Sequence, residues 1–142
     1  MTKSTTAMRF ADTNVLLYSV STVPEETAKA RMAKALLANR DIALSVQVLQ
    51  EFYVQATRAS RTNRLTHDEA VGFIRTWRRF LTQELSLSVL DDALALKSRF
   101  QISYWDAAIL AAARAAGCTE VLSEDLNEGQ DYGGVIVVNP FK

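Results

Sequence analysis

The sequence predicts an α/β fold with three layers, in which helices cover both faces of a mostly parallel central sheet. Short apolar segments with strand character alternate along the chain with longer segments whose apolar residues recur at helical spacing. In addition, residues 106–116 are apolar on almost every side and are followed by Gly117, which is typical of a helix packed inside the molecule. Alternating strands and helices favour parallel pairing of the strands.

The first part of the chain is predicted to hold a strand, a helical turn, a helix and a second strand. In chain order these are residues 8–11, 15–18, 22–39 and 42–44. Thr22 and Glu25 have the spacing of a capping box and predict the start of the helix. Ser45 follows the second strand and is a favourable N-cap for the next helix, which carries Glu51.

The second part of the chain is predicted to alternate in the same way. The expected helices are residues 66–81, 93–100 and 106–116, and the expected strands are residues 85–89, 120–123 and 135–138. Thr66 and Glu69 form a second capping-box pattern. The strand at 85–89 is indicated by apolar residues that alternate with two serines.

Length and composition suit a single domain over residues 1–142, with residues 1–7 as a loose N-terminal extension. Of the 142 residues, 49% are hydrophobic, which is enough for one core. The net charge is zero, so any nucleic-acid partner must be bound locally. The N-terminus has no apolar signal segment, and no apolar run approaches the roughly 20 residues of a membrane span. We therefore expect a cytoplasmic protein without a membrane partner.

Four acidic residues stand at equivalent places in the alternation of strands and helices. They are Asp12, Glu51, Asp106 and Asp125. Asp12 directly follows the first strand, and Asp125 follows the strand at 120–123. In parallel sheets, ligands bind outside the carboxyl ends of the strands. We therefore expect the four carboxylates to face one pocket.

Each acid also has a plainer interpretation. Asp12 can act as an N-cap, and Asp125 can begin a turn. Asp106 suits the first turn of a helix, and Glu51 suits a solvated helix face. Taken together, however, four gathered carboxylates repel one another and need a cation, and a hard ion such as Mg²⁺ prefers such ligands.

The chain resembles the PIN-domain ribonucleases, and specifically the VapC-type toxins of bacterial type II toxin–antitoxin systems. The resemblance rests on five segments, which are DTNVLLY at 12–18, LQEFY at 49–53, YWDA at 104–107, LSEDLNEGQ at 122–130 and GVIVVNPF at 134–141. It spans nearly the whole chain and implies a PIN-like fold for it.

The resemblance also implies an activity, a cofactor and partners. It implies an endoribonuclease in which Asp12, Glu51, Asp106 and Asp125 hold one or two Mg²⁺ or Mn²⁺ ions, while Thr13, Asn14 and Ser123 orient the carboxylates and waters. It further implies a homodimer and a cognate antitoxin whose C-terminal segment blocks the metal site. A groove for that segment would be lined by Phe52, Tyr53, Trp77 and Phe80.

The chemistry expected of such a site is hydrolysis by metal-activated water. RNA cleavage through the 2′-hydroxyl normally requires an acid–base pair of histidines, and the chain has only His67. We therefore expect products that carry a 5′-phosphate and a 3′-hydroxyl.

Arginines in the middle of the chain indicate where RNA binds. Between residues 52 and 83, six arginines oppose only Asp68 and Glu69, which leaves a net charge of +4. The six are Arg58, Arg61, Arg64, Arg75, Arg78 and Arg79. Arginine pairs with phosphate and stacks on bases. The alternative is that some of them cover apolar surface or pair with acids elsewhere.

Two other functions remain open at this level. A PIN-like module can hold a metal ion, RNA or a protein partner without turnover. Phosphotransfer on a doubly wound sheet is less favoured, because an aspartate-based phosphatase needs a second carboxylate at position 14, which is Asn14. A receiver domain needs a lysine near its last strands, and the sequence has none between Arg99 and Phe141.

Overall fold

A computed structural model describes residues 7–142, so the expected N-terminal extension lies outside the described residues except for the exposed Ala7. The strands are β1 (Met8–Ala11), β2 (Ile42–Ser45), β3 (Leu81–Gln83), β4 (Cys118–Leu122) and β5 (Ile136–Val138). The helices are α1 (Thr13–Ser19), α2 (Thr27–Leu37), α3 (Val46–Ala56), α4 (His67–Trp77), α5 (Leu87–Phe100) and α6 (Tyr104–Ala115).

The five strands form one sheet in the order β3-β2-β1-β4-β5, and every neighbouring pair is parallel. In the centre of the sheet, Phe10 of β1 is in register with Ala43 of β2 and Val121 of β4. The predicted mostly parallel sheet is therefore confirmed. The chain moves outward from β1 to β3 and then returns to the other side of β1, so the strand order reverses between β1 and β4.

Helices cover the sheet in two layers. Crossovers between parallel strands are almost always right-handed, so connections that run in opposite directions across a sheet lie on opposite faces. The connections from β1 to β3 contain α1 to α4, and the return connection to β4 contains α5 and α6. Accordingly, α1 packs on α2 and α3, whereas α5 packs on α6. The three-layer α/β/α fold is confirmed.

The core lies between the sheet and these helices. Phe10, Leu44 and Val121 on the central strands have no exposed surface. Every residue from 107 to 113 in α6 is buried, as the apolar sequence predicts, and the small alanines let this helix approach the sheet closely. Gly117 ends the segment with a φ of +78°, a left-handed conformation that glycine adopts without strain.

Two of the predicted helix starts are present as expected. The Ser45 hydroxyl accepts a hydrogen bond from the Val48 N–H at 3.2 Å and caps α3. Thr66 and Glu69 form both bonds of the capping box at α4. Within residues 7–142, none of the helices has the length and apolar character needed to cross a membrane.

The predicted capping box at Thr22 and Glu25 is wrong. A single 3-10 turn, Pro24–Glu26, precedes α2, which begins only at Thr27. Ser21 takes the polar contacts instead, because its hydroxyl donates to the Glu26 carboxylate at 2.6 Å and accepts from the Val23 N–H. The side chain that binds a glutamate here is therefore Ser21, and its partner is Glu26 rather than Glu25.

The predicted strand at 85–89 is also wrong. The Ser86 hydroxyl accepts from the Val89 N–H at 3.2 Å, so the serine is the N-cap of α5 rather than a strand residue. Leu87 is 78% exposed, which shows that the alternating leucines do not mark a buried strand face. The edge strand β3 lies earlier, at Leu81–Gln83, and begins with Leu81, the last residue of the helix predicted at 66–81.

Candidate metal centre

The acidic residues gather where the strand order reverses. Asp12 directly follows β1, and residues 123–125 directly follow the neighbouring strand β4. The Asp12 N–H donates to the Leu122 carbonyl at 3.0 Å, so the two chain segments remain paired up to this point. Such a reversal opens a crevice at the carboxyl ends of the strands, which is where parallel sheets bind their ligands.

Asp12 is buried at the base of this crevice, with only 9% of its surface exposed. One carboxylate oxygen, Oδ1, accepts from the Thr13 N–H at 2.7 Å and makes Asp12 the N-cap of α1. The other, Oδ2, accepts from the Ser123 hydroxyl at 2.7 Å. Asp12 therefore caps a helix and is also fixed in a rigid orientation at the carboxyl edge of the sheet.

Burial raises the pKa of Asp12 from its usual 3.8 to about 6. The hydrogen bonds from Ser123 and Thr13 act against this shift, whereas the nearby charges of Asp125 and Glu51 add to it. The buried carboxylate thus carries a negative charge at neutral pH against both burial and repulsion. A cation bound beside Asp12 would relieve both.

Glu51 reaches the same place from α3. The Thr13 hydroxyl donates to Glu51 Oε1 at 2.7 Å, and the Gln47 amide donates to Glu51 Oε2 at 3.5 Å. Gln47 lies one helical turn before Glu51, so both side chains project from the same face of α3. Because Thr13 directly follows Asp12, its hydroxyl holds the Glu51 carboxylate close to the Asp12 carboxylate.

Asp125 is held by Asn14, the next residue of α1 after Thr13. The Asn14 amide nitrogen donates to Asp125 Oδ2 at 3.0 Å, and the Asp125 N–H donates to the Ser123 hydroxyl oxygen at 3.1 Å. Ser123 therefore contacts both Asp12 and the backbone of Asp125. Thr13 and Asn14, the two residues after Asp12, thus bind Glu51 and Asp125 and hold these two acids near Asp12.

Asp106 stands apart from these bonds. It lies in the first turn of α6, where its backbone N–H donates to the Ser103 hydroxyl oxygen at 3.1 Å. Its neighbour Trp105 borders a groove that Glu51 also lines. Asp106 itself does not line that groove, and its carboxylate forms no hydrogen bond with the other three acids in the described chain.

The donor set suits a hard divalent cation. Asn14 Oδ1 is buried and finds no hydrogen-bond partner within the described residues, although the amide nitrogen of the same side chain binds Asp125. Buried polar atoms are almost always satisfied, so this oxygen is available to a ligand. Carboxylate and amide oxygens are ligands that Mg²⁺ and Mn²⁺ accept. Asp12, Asp125, Glu51 and Asn14 could therefore hold such an ion.

Polar side chains lie between the carboxylates of Asp12, Glu51 and Asp125. Over residues 7–142, no group of three or more histidine, cysteine, aspartate or glutamate side chains is already arranged around a cation position. Thr13 lies between Asp12 and Glu51, and Asn14 contacts Asp125. The structure thus has three acids, Asp12, Glu51 and Asp125, whose side chains are each held by a hydrogen bond to a residue at the start of α1.

A groove of about 400 Å³ extends from Glu51 along α3. Its lining residues are Gln47, Gln50, Glu51, Val54, Gln55, Arg58 and Trp105. Trp105 is 64% exposed, which is unusual for so large an aromatic side chain. Trp105 was not among the site residues predicted from the sequence, although an aromatic residue directly before an acid at a helix start was a usable signal.

The six arginines do not share one surface. Arg58, Arg61 and Arg64 lie in the connection between α3 and α4, and Arg58 borders the groove that reaches Glu51. Arg75, Arg78 and Arg79 lie at the end of α4, just before β3 begins. That position is at the amino edge of the sheet, opposite to Asp12. The guanidinium of Arg79 donates to the Leu37 carbonyl at 3.1 Å and covers the Phe80 ring.

The aromatic side chains expected to line an antitoxin groove mostly belong to the core. Phe52, Trp77 and Phe80 are buried, and Phe52 packs edge-on against Trp77 with ring centroids 4.7 Å apart. Tyr53 is half-buried, and its hydroxyl is hydrogen-bonded to the ring of His67 at 2.8 Å. Three of the four residues are therefore unavailable to a partner in this conformation.

Several solved structures have the same fold. A toxin–antitoxin complex from Klebsiella pneumoniae matches with a TM-score of 0.70 and 21% identity, over 94% of this chain and 98% of that chain. VapBC2 from Rickettsia felis, bound to a DNA fragment from its promoter, matches with a TM-score of 0.65 and 17% identity. The match covers 93% of this chain and 98% of that chain. VapC20 from Mycobacterium tuberculosis, a toxin that cleaves the sarcin–ricin loop, matches with a TM-score of 0.63 and 21% identity. The match covers 82% of this chain and 89% of that chain.

Sequence comparison identifies the family. No curated protein matches the chain. The model of the PIN domain, however, matches residues 9–127, which include Asp12, Glu51, Asp106 and Asp125. The match covers most of the chain and agrees with the fold of the VapC-type toxins, so the resemblance predicted from the sequence motifs is confirmed. This chain belongs to the PIN-domain family.

Proposed function

We propose that the chain is a divalent-metal-dependent endoribonuclease and acts as the toxin of a toxin–antitoxin pair. The observation that carries the proposal is the convergence of Asp12, Glu51 and Asp125 around the start of α1. These acids come from distant segments, because Asp12 and Asp125 lie 113 positions apart in the chain. A bound cation would relieve both the burial and the repulsion that act on the Asp12 carboxylate beside the other two.

The structural neighbours support the same class of activity. VapC20 is described as a toxin that cleaves the sarcin–ricin loop, an RNA, and the Klebsiella pneumoniae structure is a toxin–antitoxin complex. Both sequences are only 21% identical to this chain, so the likeness establishes the fold and not the activity. The transfer of RNA cleavage to this chain therefore rests on the acids that the chain itself brings together.

Each residue of the centre has a definable part in hydrolysis. Asp12 is fixed through both oxygens, by Thr13 and Ser123, so that its charge stays at one position in the crevice. Thr13 and Asn14 orient Glu51 and Asp125 toward the same region. When bound, Mg²⁺ or Mn²⁺ supplies Lewis-acid chemistry, activating water for attack on the phosphodiester and neutralising charge on the phosphate oxygens. Asp106, at the rim, is proposed to complete the set.

We also propose that the groove along α3 receives the RNA. Trp105 offers an exposed aromatic face next to the acids, and Arg58 offers a cation at the other end of the groove. Aromatic stacking with arginine contacts to phosphate is the usual way in which proteins bind unpaired RNA. Arg61 and Arg64, in the same connection as Arg58, would extend this surface. Arg75, Arg78 and Arg79 would contact only RNA long enough to reach the opposite edge of the sheet.

Arg58→Ala is expected to weaken RNA binding several-fold more than Arg79→Ala, although both substitutions remove one positive charge. The difference follows from position, because only Arg58 lines the groove beside Glu51. Loss of one phosphate contact lowers the salt dependence of single-strand binding by about 0.7 in log–log slope. Fluorescence anisotropy with a labelled unpaired RNA, at several salt concentrations in an Asp12→Asn background, measures both effects. Equal losses in the two variants would contradict the proposed groove.

Cleavage is expected to stop in excess chelator and to return when Mg²⁺ is added. The products are expected to carry 5′-phosphate and 3′-hydroxyl ends, because His67 is already bonded to Tyr53 and the chain has no second histidine for 2′-hydroxyl chemistry. Incubation of purified protein with RNA, followed by end-specific ligation, tests both expectations. Undiminished cleavage in chelator, or cyclic phosphate ends, would refute metal-assisted hydrolysis.

Cation and RNA binding without any cleavage would favour the non-catalytic binding module.

Two partners follow from the same proposal. Solved neighbours include a toxin–antitoxin complex from Klebsiella pneumoniae, and VapBC and FitAB bound to DNA. We infer that a cognate antitoxin binds this chain and blocks access to Asp12, and that the active form is a homodimer. Co-expression with the inferred antitoxin is then expected to suppress RNA cleavage.

A further inference from the structure

A second polar cluster adjoins the acidic centre and contains an acid that the proposed mechanism does not use. Glu124 lies between Ser123 and Asp125, both of which belong to the centre. Its carboxylate accepts a short hydrogen bond from the Tyr18 hydroxyl. The Lys29 ammonium donates to Glu124 Oε2 at 3.0 Å and to the Tyr18 hydroxyl oxygen at 3.2 Å. Each of the three residues therefore contacts the other two.

This cluster attaches the loop after β4 to two helices. Asn14 and Tyr18 are four positions apart on α1, so they project from the same face of the helix. Asn14 binds Asp125, and Tyr18 binds Glu124, the residue directly before it. Lys29 adds a contact from α2. The residue directly before Asp125 is thus held by side chains from both α1 and α2.

The charges of the cluster are balanced within it. Lys29 neutralises Glu124, and its ammonium also lies over the Tyr18 ring, 4.9 Å from the ring centroid. The Tyr18 ring in turn packs edge-on against Phe141, with centroids 4.9 Å apart. Burial and the bond to Glu124 raise the pKa of Tyr18, so its hydroxyl remains a donor at neutral pH. Both carboxylate oxygens of Glu124 are engaged within the cluster.

We propose that Glu124, Tyr18 and Lys29 are positioning residues that set the orientation of Asp125 toward the cation, and that Glu124 is not itself a cation ligand. The inference rests on the proposed metal-dependent function. An isolated surface ion pair contributes little, but these three residues form a connected network that joins two helices to the loop. Partners of this kind behind metal ligands typically change metal affinity by about 10- to 100-fold when they are removed.

Lys29→Met gives the sharpest test, because two physical effects predict opposite results. Removal of a positive charge near the acids would by itself tighten cation binding. Loss of positioning would weaken it, and we expect the dissociation constant for Mn²⁺ to rise about tenfold. Titration with Mn²⁺, followed by electron paramagnetic resonance without RNA, measures this constant independently of activity. Lys34→Met, an exposed lysine on the same helix, is the matched charge control.

Two further variants keep the test independent of folding defects. Tyr18→Phe removes only the hydroxyl and retains the ring that packs on Phe141, and it is expected to weaken Mn²⁺ binding in the same direction as Lys29→Met. In an Asp125→Asn background, Lys29→Met should have no further effect, because the cluster acts through Asp125. A persistent effect in that background would overturn the inference.

The other outcomes separate the inference from the function on which it rests. If the wild-type protein binds Mn²⁺ and cleaves RNA, but Lys29→Met binds Mn²⁺ as tightly as Lys34→Met or more tightly, only the positioning role is overturned. If Glu124→Gln loses far more affinity than Lys29→Met and Tyr18→Phe do, Glu124 is a ligand and the inference is wrong. If the wild-type protein neither binds Mn²⁺ nor cleaves RNA, the proposed function and the inference both fall.

Discussion

Asp12→Asn is expected to lower the rate of RNA cleavage by about 10²- to 10³-fold, while the protein stays folded. The substitution removes the charge of the most buried acid in the centre, and loss of one preorganised electrostatic contact in an active site commonly costs 10²- to 10³-fold. Folding is retained because asparagine is as good an N-cap as aspartate, so its carbonyl oxygen can still accept from the Thr13 N–H.

Single-turnover cleavage of an RNA substrate at saturating Mg²⁺ measures this loss. Asp91→Asn is a suitable control, since it makes the same chemical change on an exposed part of α5. Circular dichroism confirms that both variants are folded. Retention of more than a tenth of the wild-type rate by Asp12→Asn would contradict the assignment of Asp12 to the reaction.

The metal-free protein is expected to lose stability as the pH rises from 4 to 7, and Asp12→Asn is expected to remove this loss. Because the pKa of Asp12 is about 6 in the folded protein against 3.8 normally, the folded state holds a proton that the unfolded chain has released between these pH values. The unfolded state then binds fewer protons, so the free energy of unfolding falls with rising pH. The pKa shift of Asp12 corresponds to a loss of about 3 kcal/mol at most in the free energy of unfolding.

Urea unfolding of both proteins in chelator, at several pH values between 4 and 8, tests this expectation. The difference between wild type and Asp12→Asn isolates the contribution of Asp12 from those of the other carboxylates. At pH 7 without metal, we expect the variant to be the more stable protein. A difference that does not change with pH would show that the buried carboxylate is not the source of the effect.

Divalent metal is expected to reverse the order of stability at pH 7. A ligand at 100 times its dissociation constant adds about 2.7 kcal/mol to the free energy of unfolding. Wild type should gain this amount with Mn²⁺, whereas Asp12→Asn should gain little, because it lacks the buried charge. The same carboxylate would then be costly for folding and necessary for function, as is common at active sites.

The parts of the fold with local signals were predictable from the sequence. The strand at 8–11 ends at an acid, the capping box at Thr66 and Glu69 marks a helix, and the alanine-rich segment before Gly117 is a buried helix. The alternation of such elements was sufficient to predict a parallel sheet. Because all strands of a parallel sheet end at the same carboxyl edge, the sequence also predicted that Asp12 and Asp125 lie near each other.

Contacts between distant residues were not predictable in the same way. Tyr18 and Glu124 lie 106 positions apart, and nothing in their neighbouring residues indicates that they bond. Serine was a second source of error, because a hydroxyl can cap a helix as readily as it can alternate in a strand, and Ser86 does the former. For Asp106, the sequence placed it correctly in a first helical turn but could not show which way its carboxylate extends.

The most direct test of the central claim is a crystal structure of the protein with Mn²⁺, in which anomalous scattering locates the ion. We expect a peak about 2.1 Å from a carboxylate oxygen of Asp12, with Asp125 and Glu51 in contact with the same ion directly or through water. A peak held by other residues, or none at a saturating Mn²⁺ concentration while Asp12 remains bonded to Thr13 and Ser123, would contradict the claim that these distant acids form a cation site.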